Sequence, residues 1–243
     1  MGEAFFWGLV AGSSLVLGGL IALVLPMNRR LLGLVMGFGS GVLISAVAYD
    51  LVGEAADTSA GSGGVALGLF SGATAFFLGD EVIDRMGGAD RKSREGEQAE
   101  GSPLAIVLGI VLDGIPESVV IGLTLLEGPG VGVAVLVAVF ISNLPEAIAA
   151  TTGLSITGWS GRKITALWTG VALVSALAAL AGYGLFGDAP PSAIAFVLAF
   201  AGGAILTMLA DTMMPQAFLY GGKLVGIVTT FGFAVAFAIS ALE

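Results

Sequence analysis

Apolar runs of about 20 residues recur along almost the whole chain, and they constrain its fold more than any other feature. A transmembrane helix needs about 20 consecutive, mostly apolar residues to cross the hydrocarbon core. The chain is 56% hydrophobic and 11% charged, whereas soluble domains are usually about 25% charged. We expect one transmembrane domain over 1–243, with helices at about 4–25, 31–53, 64–84, 104–126, 130–155, 164–186, 192–216 and 222–242.

The basic residues fall only in alternate connections between these runs. All 9 Lys and Arg residues follow the first, third, fifth or seventh run, and the other connections carry acids or no charge. Positively charged connections stay in the cytoplasm. The distribution predicts extracellular N- and C-termini and a long cytoplasmic loop at 85–103. We expect an integral protein of a prokaryotic inner (plasma) membrane.

Two residue types that dominate protein metal chemistry are missing. The chain has no cysteine and no histidine, which excludes disulfides, thiolate ligands and imidazole as base or ligand. Any metal site must therefore be built from oxygen ligands or from methionine.

The fourth run contains two carboxylates and a proline, in the stretch "VLDGIPESVVIG". Asp113 and Glu117 are four residues apart and therefore share one helical face. An acid at the centre of a membrane helix costs about 3 kcal/mol on insertion scales. Pro116 removes the hydrogen bond to the Leu112 carbonyl. Residues this unfavourable in hydrocarbon mark functional sites more often than structural ones.

The fifth run repeats this arrangement in "SNLPEA". Glu146 aligns with Glu117, Ser142 with Asp113, and Asn143 with Gly114, while Pro145 frees the Ile141 carbonyl. Each helix can therefore offer side-chain and backbone oxygens near mid-span. Three carboxylates in a low dielectric cannot all stay ionised unaided, and a divalent cation or protons would relieve the repulsion. The alternative is a protonated network that only holds the helices together.

A second pair of stretches is similar without gaps. Residues 41–55, "GVLISAVAYDLVGEA", align with 203–217, "GAILTMLADTMMPQA". The predicted topology gives the two stretches opposite directions, which is typical of the inverted repeats of secondary transporters. The alternative is chance similarity between Gly/Ala-rich helices.

Three further acids lie nearer the ends of the runs. Asp50 and Glu54 share a face near the outer end of the second run, and Asp211 lies toward the inner end of the seventh. They are candidate pathway ligands, or ordinary acids at helix ends. Met208, Met213 and Met214 could be soft ligands, although methionine at helical spacing more often packs.

These motifs, the topology and the position of the long loop resemble the ZIP (Zrt-, Irt-like) family of divalent metal transporters. The family's fourth helix carries His-Asn-x-Pro-Glu, and this chain has Asp113-Gly114-Ile115-Pro116-Glu117. The fifth carries His/Gln-Asn/Glu-x-Pro-Glu/His, and this chain has Ser142-Asn143-Leu144-Pro145-Glu146. The stretches around Asp50–Glu54 and Asp211–Gln216 echo the family's second and seventh helices.

The resemblance implies an all-α membrane protein with eight transmembrane helices in a 3+2+3 arrangement. It also implies a metal site of Asp113, Glu117, Ser142, Asn143 and Glu146, with Pro116 and Pro145 opening the helices. The family transports zinc, iron, manganese or cobalt. The family histidines are replaced by Asp113 and Ser142, and an all-oxygen site favours harder ions such as Mn²⁺, Mg²⁺ or Fe²⁺. The two arguments leave the ion open.

The function we expect is secondary transport of a divalent metal into the cytoplasm, with no cofactor and no enzymatic activity. A metal or proton sensor, a transporter that has lost flux, and export remain open. An intramembrane aspartyl protease would need Asp50 and Asp80 together, and its second motif would require Gly where Phe77 stands. The expected partners are the metal ion and the bilayer, and not nucleic acid; the Gly-rich faces allow a homodimer without requiring one.

Overall fold

Most of the described part of the chain is helical. The structure, a computed structural model, describes residues 1–25, 28–59, 62–88, 103–128 and 130–242. Within these ranges there are short π-helical segments and no β-strand. The α-helices are α1 (Gly2–Val24), α2 (Arg29–Ala46), α3 (Glu54–Thr58), α4 (Ser62–Ile83), α5 (Pro103–Glu127), α6 (Val133–Ile156), α7 (Gly161–Phe186), α8 (Pro191–Met208), α9 (Met214–Gly221) and α10 (Leu224–Ser240).

These helices indicate an integral membrane protein. Among the described residues, seven segments are long and apolar enough to cross a membrane: Gly2–Val24, Arg29–Thr58, Gly63–Met86, Val107–Leu126, Val133–Ile156, Gly161–Phe186 and Pro191–Gly221. The eighth, α10, has 17 residues and is about 25 Å long, slightly short of the ~30 Å hydrocarbon core. The all-helical prediction is confirmed. The sidedness of the termini stays a prediction, and residues 89–102 of the predicted loop lie outside the described residues.

The second and seventh spans, Arg29–Thr58 and Pro191–Gly221, are not regular α-helices. A π-helical segment, Val47–Gly53, joins α2 to α3, and another, Leu209–Met213, joins α8 to α9. In the alignment of 41–55 with 203–217, Val47 and Leu209 occupy the same position. π-Helical turns are rare and frequently lie at functional sites. The apolar pattern of the sequence predicted the spans but not these segments.

The packing of the helices has an internal symmetry. α4 packs on α8 and α10 packs on α2, while α6 packs on α1 and α5 packs on α7. Exchanging the first three spans with the last three, and α5 with α6, converts the α4–α8 contact into the α10–α2 contact. The same exchange converts the α6–α1 contact into the α5–α7 contact. The second and seventh spans run antiparallel, because Gly33 lies against Gly221 and Gly202 lies against Val47. This arrangement supports the inverted repeat that the sequence suggested.

Glycines at matching positions allow α2 to touch α10 and α8 to touch α4. A side chain at Gly41 would collide with the Thr229 carbonyl of α10, and one at Gly203 with the Leu69 carbonyl of α4. Gly41 and Gly203 are the first residues of the two aligned stretches. Such backbone contacts are typical of membrane helices, where close approach supplies the attraction that water would supply elsewhere.

Candidate metal-binding site

α5 carries Asp113 and Glu117 in the middle of the bundle. Glycines fix its position on α7, because a side chain at Gly122 would collide with the Ala179 carbonyl and one at Gly182 with the Val119 carbonyl. Glu117 lies ten residues before the end of α5 at Glu127, which is about 15 Å along the helix. The structure therefore places Glu117 near mid-span, as predicted.

α6 carries the second half of the candidate set. It packs on α1, where Gly18 lies against the Leu144 carbonyl and Ala147. It is also joined to α7 by a buried hydrogen bond of 2.7 Å from Trp168 Nε1 to Thr151 Oγ1. Since α6 runs antiparallel to α5, Ser142 and Asn143 reach nearly the depth of Glu117.

The candidate side chains are largely withdrawn from the surface. Asp113, Glu117, Ser142 and Asn143 are buried, and Glu146 is partly buried. The Ser142 hydroxyl donates to the Val139 carbonyl at 3.0 Å. In the equivalent region of α5, the Ser118 hydroxyl donates to the Gly114 carbonyl at 2.7 Å. Both hydroxyl oxygens keep lone pairs that a cation could use.

Glu117 is the most unusual side chain of the set. It is 1% exposed, and neither of its carboxylate oxygens has a hydrogen-bond partner within the described ranges. Glu146 and Asp113 are near enough for their charges to act on it. A buried carboxylate without partners is strongly unfavourable unless it binds a proton or a cation. The structure therefore brings Asp113, Glu117 and Glu146 into one electrostatic cluster.

The three carboxylates do not converge on a single point. Across the described residues, no group of three acidic side chains is arranged to hold a metal ion. A bound ion would need side-chain rotation, or ligands from outside the acidic set such as Ser142, Asn143 and backbone carbonyls.

Both helices continue through their prolines. Pro116 lies inside α5 and Pro145 inside α6, so the predicted helix opening does not break either helix. The Ile141 carbonyl, which Pro145 deprives of its α-helical donor, lies on the side of α6 that faces Gly39 of α2. A Cβ at Gly39 would be 3.5 Å from that carbonyl oxygen and 3.3 Å from Ser142 Cα.

The second and seventh spans border this cluster. The methyl group of Met213 is 3.1 Å from the same Cβ position on Gly39, so the π-helical segment of the seventh span reaches the level of Ser142. The sequence favoured packing for Met213, and its buried position agrees with that role.

Gly114 is buried, yet a Cβ there would meet no atom within 4 Å, which leaves free volume beside Asp113.

Asp50 and Glu54 lie elsewhere, on the wall of an open pocket of about 620 Å³. The pocket lies where the second span ends, α5 ends, α6 begins and α10 ends. Its other lining residues are Tyr49, Thr124, Gly128, Gly130, Val131, Gly132, Val133, Val135 and Ser240. The predicted topology makes this the extracellular end. Asp211 is exposed and does not line this pocket.

Sequence reasoning missed Ser240, which contacts Asp50 directly. Its hydroxyl donates to Asp50 Oδ1 at 2.6 Å across 190 positions of the chain. Ser240 ends an apolar helix and belongs to no recognisable motif, so nothing in the sequence linked it to Asp50. Thr124 was also missed; its hydroxyl oxygen accepts the Gly132 N–H at 3.0 Å and closes the connection between α5 and α6.

Neither a scan against protein-family models nor a search of curated proteins finds a match to this chain. The resemblance to the ZIP family therefore rests on the residues and motifs of the sequence itself.

Proposed function

We propose that the protein is a secondary transporter that moves a divalent metal cation across the membrane toward the cytoplasm. The observation that carries the proposal is Glu117, a buried carboxylate at mid-span whose oxygens lack hydrogen-bond partners within the described ranges. Asp113 and Glu146 add charge of the same sign around it. Sites of this kind near the midplane are typical of transporters.

A divalent cation suits the cluster better than a structural role does. Two positive charges would offset the repulsion among Asp113, Glu117 and Glu146, and oxygen ligands would replace part of the ion's water shell. Ser142 and Asn143 supply neutral oxygens at the depth of Glu117. The all-oxygen character favours hard divalent ions, and Mn²⁺ is the probe that we would use first.

An access route is supported by the pocket at the predicted outer end. Thr124 lines the pocket and lies seven residues after Glu117 on α5, about 10 Å along the helix. Asp50 and Glu54 give the pocket a negative wall that would attract cations from solution. The route from the pocket to Glu117 would open during transport, and protons are the alternative occupant of the carboxylates when the metal leaves.

A sensor that binds metal without moving it is the second candidate. Within the described ranges no three acidic side chains are arranged to hold one ion, and both proline-containing helices are continuous. A site that binds weakly and stays closed would have the same features. Flux, rather than binding, separates the two functions.

The aspartyl protease reading is disfavoured by depth. Asp50 lies at the level of Gly202, which packs on Val47 and Val52, and the next residue, Gly203, packs on Leu69 of α4. Asp80 lies eleven residues beyond Leu69 on α4, about 17 Å farther along the helix. Two aspartates must lie within hydrogen-bonding distance to share a proton in such enzymes.

The test is ion flux into liposomes containing the purified full chain. A fluorescent reporter inside would follow Zn²⁺, Mn²⁺, Fe²⁺, Co²⁺, Cd²⁺ and Mg²⁺, with internal pH recorded in the same vesicles. We expect uptake of at least one ion above the rate of empty liposomes. Binding of Mn²⁺ measured by electron paramagnetic resonance, combined with no flux of any ion, would refute transport and support the sensor.

A further inference from the structure

The outer half of the second span is joined to α10 by a short hydrogen bond. The Ser240 hydroxyl donates to Asp50 Oδ1 at 2.6 Å, within the range of charge-assisted O–H···O⁻ bonds. Such bonds are roughly twice as strong as neutral ones. This contact links the C-terminal end of α10 to the second span, whose Gly39 lies beside Ser142 of the candidate metal-binding site.

The residue before Asp50 strengthens the same junction. The ring of Tyr49 packs against Phe237 and Phe233 of α10, with centroid separations of 5.0 and 6.1 Å. Both separations fall in the range of attractive aromatic contacts. Two consecutive residues of the second span therefore attach it to α10, one through a ring and one through a carboxylate.

Both residues belong to the π-helical segment Val47–Gly53. A π-helical turn holds more residues than an α-helical turn because its hydrogen bonds span five residues instead of four. It therefore changes the direction in which the later side chains of the span point. A change in helical register at this segment would move Asp50 relative to α10.

The junction also forms part of the outer pocket. Tyr49, Asp50 and Ser240 line it together with Val135 of α6. A cation in the pocket that binds both oxygens of the Asp50 carboxylate would displace the Ser240 hydroxyl from Oδ1. Val139 lies one helical turn after the pocket residue Val135 on α6, and its side chain is buried.

We propose that Ser240 is a positioning residue that holds Asp50, and with it the outer half of the second span, against α10. A divalent cation that enters the pocket takes the Asp50 carboxylate from Ser240 and loosens this contact. The proposal rests on the proposed transport function for its natural ligand, but the contact itself can be tested without any transport.

The internal repeat gives this pair a counterpart at the other end of the molecule. Thr212 occupies the position of Asp50 in the aligned stretches. The Gly232–Phe38 and Gly72–Phe200 crossings align α4 with α10, and on that alignment Asp80 occupies the position of Ser240. Acid and hydroxyl are thus exchanged between the two ends. The Thr212 hydroxyl donates to the Met208 carbonyl of its own span at 2.7 Å, whereas the Ser240 hydroxyl reaches Asp50 on a neighbouring span.

Because the chain has no native cysteine, single cysteines can report on the junction directly. Val139→Cys places a reporter one helical turn beyond the pocket residue Val135. Ser192→Cys, at an exposed position near the start of α8 and outside the pocket, reports general reactivity and folding. Maleimide labelling rates of the detergent-solubilised full chain would be compared with and without Mn²⁺. Ser240→Ala removes the hydroxyl, Ser240→Thr restores it, and Ser71→Ala is the matched control because Ser71 bonds only to Gly68 of its own helix.

We expect Mn²⁺ to accelerate labelling of Val139→Cys in the parent. Ser240→Ala should accelerate it about tenfold without Mn²⁺, which corresponds to about 1.4 kcal/mol, the strength of one such hydrogen bond. Added Mn²⁺ should then have little further effect. Ser240→Thr and Ser71→Ala should behave like the parent, and labelling of Ser192→Cys should not change.

The proposal is wrong if Ser240→Ala labels at the parent rate, or if Mn²⁺ accelerates it as strongly as it accelerates the parent. Phe237→Leu provides an independent variant should Ser240→Ala fold poorly, and it should accelerate labelling by a smaller factor. Parent-like labelling of a folded Phe237→Leu would count equally against the junction. Failure of transport alone would leave the metal-free effect of Ser240→Ala intact, so the two proposals can fail separately.

Discussion

Glu117 shows at the scale of one residue why a membrane helix would keep an unfavourable side chain. It is buried at mid-span and has no hydrogen-bond partner for either oxygen within the described ranges. Structural carboxylates in proteins are normally paired or hydrogen-bonded when buried. The missing partner is therefore supplied, in our account, by the transported ion.

Gly114 offers a test of the space beside the cluster. It is buried, and a Cβ there would meet no atom within 4 Å. We expect Gly114→Ala to leave stability unchanged or to raise it by up to about 1 kcal/mol, because alanine loses less conformational freedom in a helix. Thermal unfolding in detergent measures this. A large loss of stability would show that the space is filled.

Single residues also mark how far the sequence could predict the site. The spacing of Asp113 and Glu117 predicted one helical face, because helical periodicity depends only on separation along the chain. The contact between Asp50 and Ser240 could not be predicted, since it joins residues 190 positions apart. The same holds for Met213 beside Gly39, where only the packing of three spans decides the neighbours.

At the scale of elements, the helices were predictable and their internal irregularities were not. Each apolar run of the sequence became a helix, because backbone groups in hydrocarbon must pair within the segment. The π-helical segments at Val47–Gly53 and Leu209–Met213 each carry one aspartate among mostly apolar residues. Hydropathy predicts where a helix crosses the membrane and not where its hydrogen bonds change from the α to the π pattern. The two segments begin at matching positions of the aligned stretches, Val47 and Leu209.

The close helix crossings predict a sharp contrast among glycines. Gly41→Ala and Gly203→Ala each place a methyl group against the backbone of a neighbouring helix. Overpacking of this kind typically costs about 1–3 kcal/mol. Both variants should lower the thermal unfolding temperature in detergent.

The matched control is Gly226→Ala on α10, where a Cβ would meet no atom within 4 Å. It should unfold at the parent temperature or slightly above it. Equal stability of all three variants would contradict the close crossings, and loss in Gly41→Ala alone would contradict the equivalence of the two repeats.

At the scale of the whole molecule, the distribution of basic residues predicts which ends of the helices face the cytoplasm. Ser160 and Ser192 are exposed residues at the start of α7 and near the start of α8. A membrane-impermeant maleimide applied to intact cells should label Ser192→Cys and should not label Ser160→Cys. The native chain adds no background because it lacks cysteine.

The reverse labelling pattern would mean that the protein has the opposite orientation in the membrane, with the pocket of Asp50 on the cytoplasmic side. Labelling of both sites or neither, in cells shown to be intact, would contradict the assignment of alternate connections to opposite sides. In either case the direction proposed for transport would have to change.

The measurement that tests the central claim most directly is Mn²⁺ uptake into liposomes by the parent, Glu117→Gln and Glu3→Gln. Glu3 lies exposed in the first turn of α1 and makes the same chemical change far from the cluster. We predict that Glu117→Gln reduces uptake to the level of empty liposomes and that Glu3→Gln leaves it unchanged. Parent-level uptake by a folded Glu117→Gln variant would contradict the account, because the ion would then cross without the buried carboxylate.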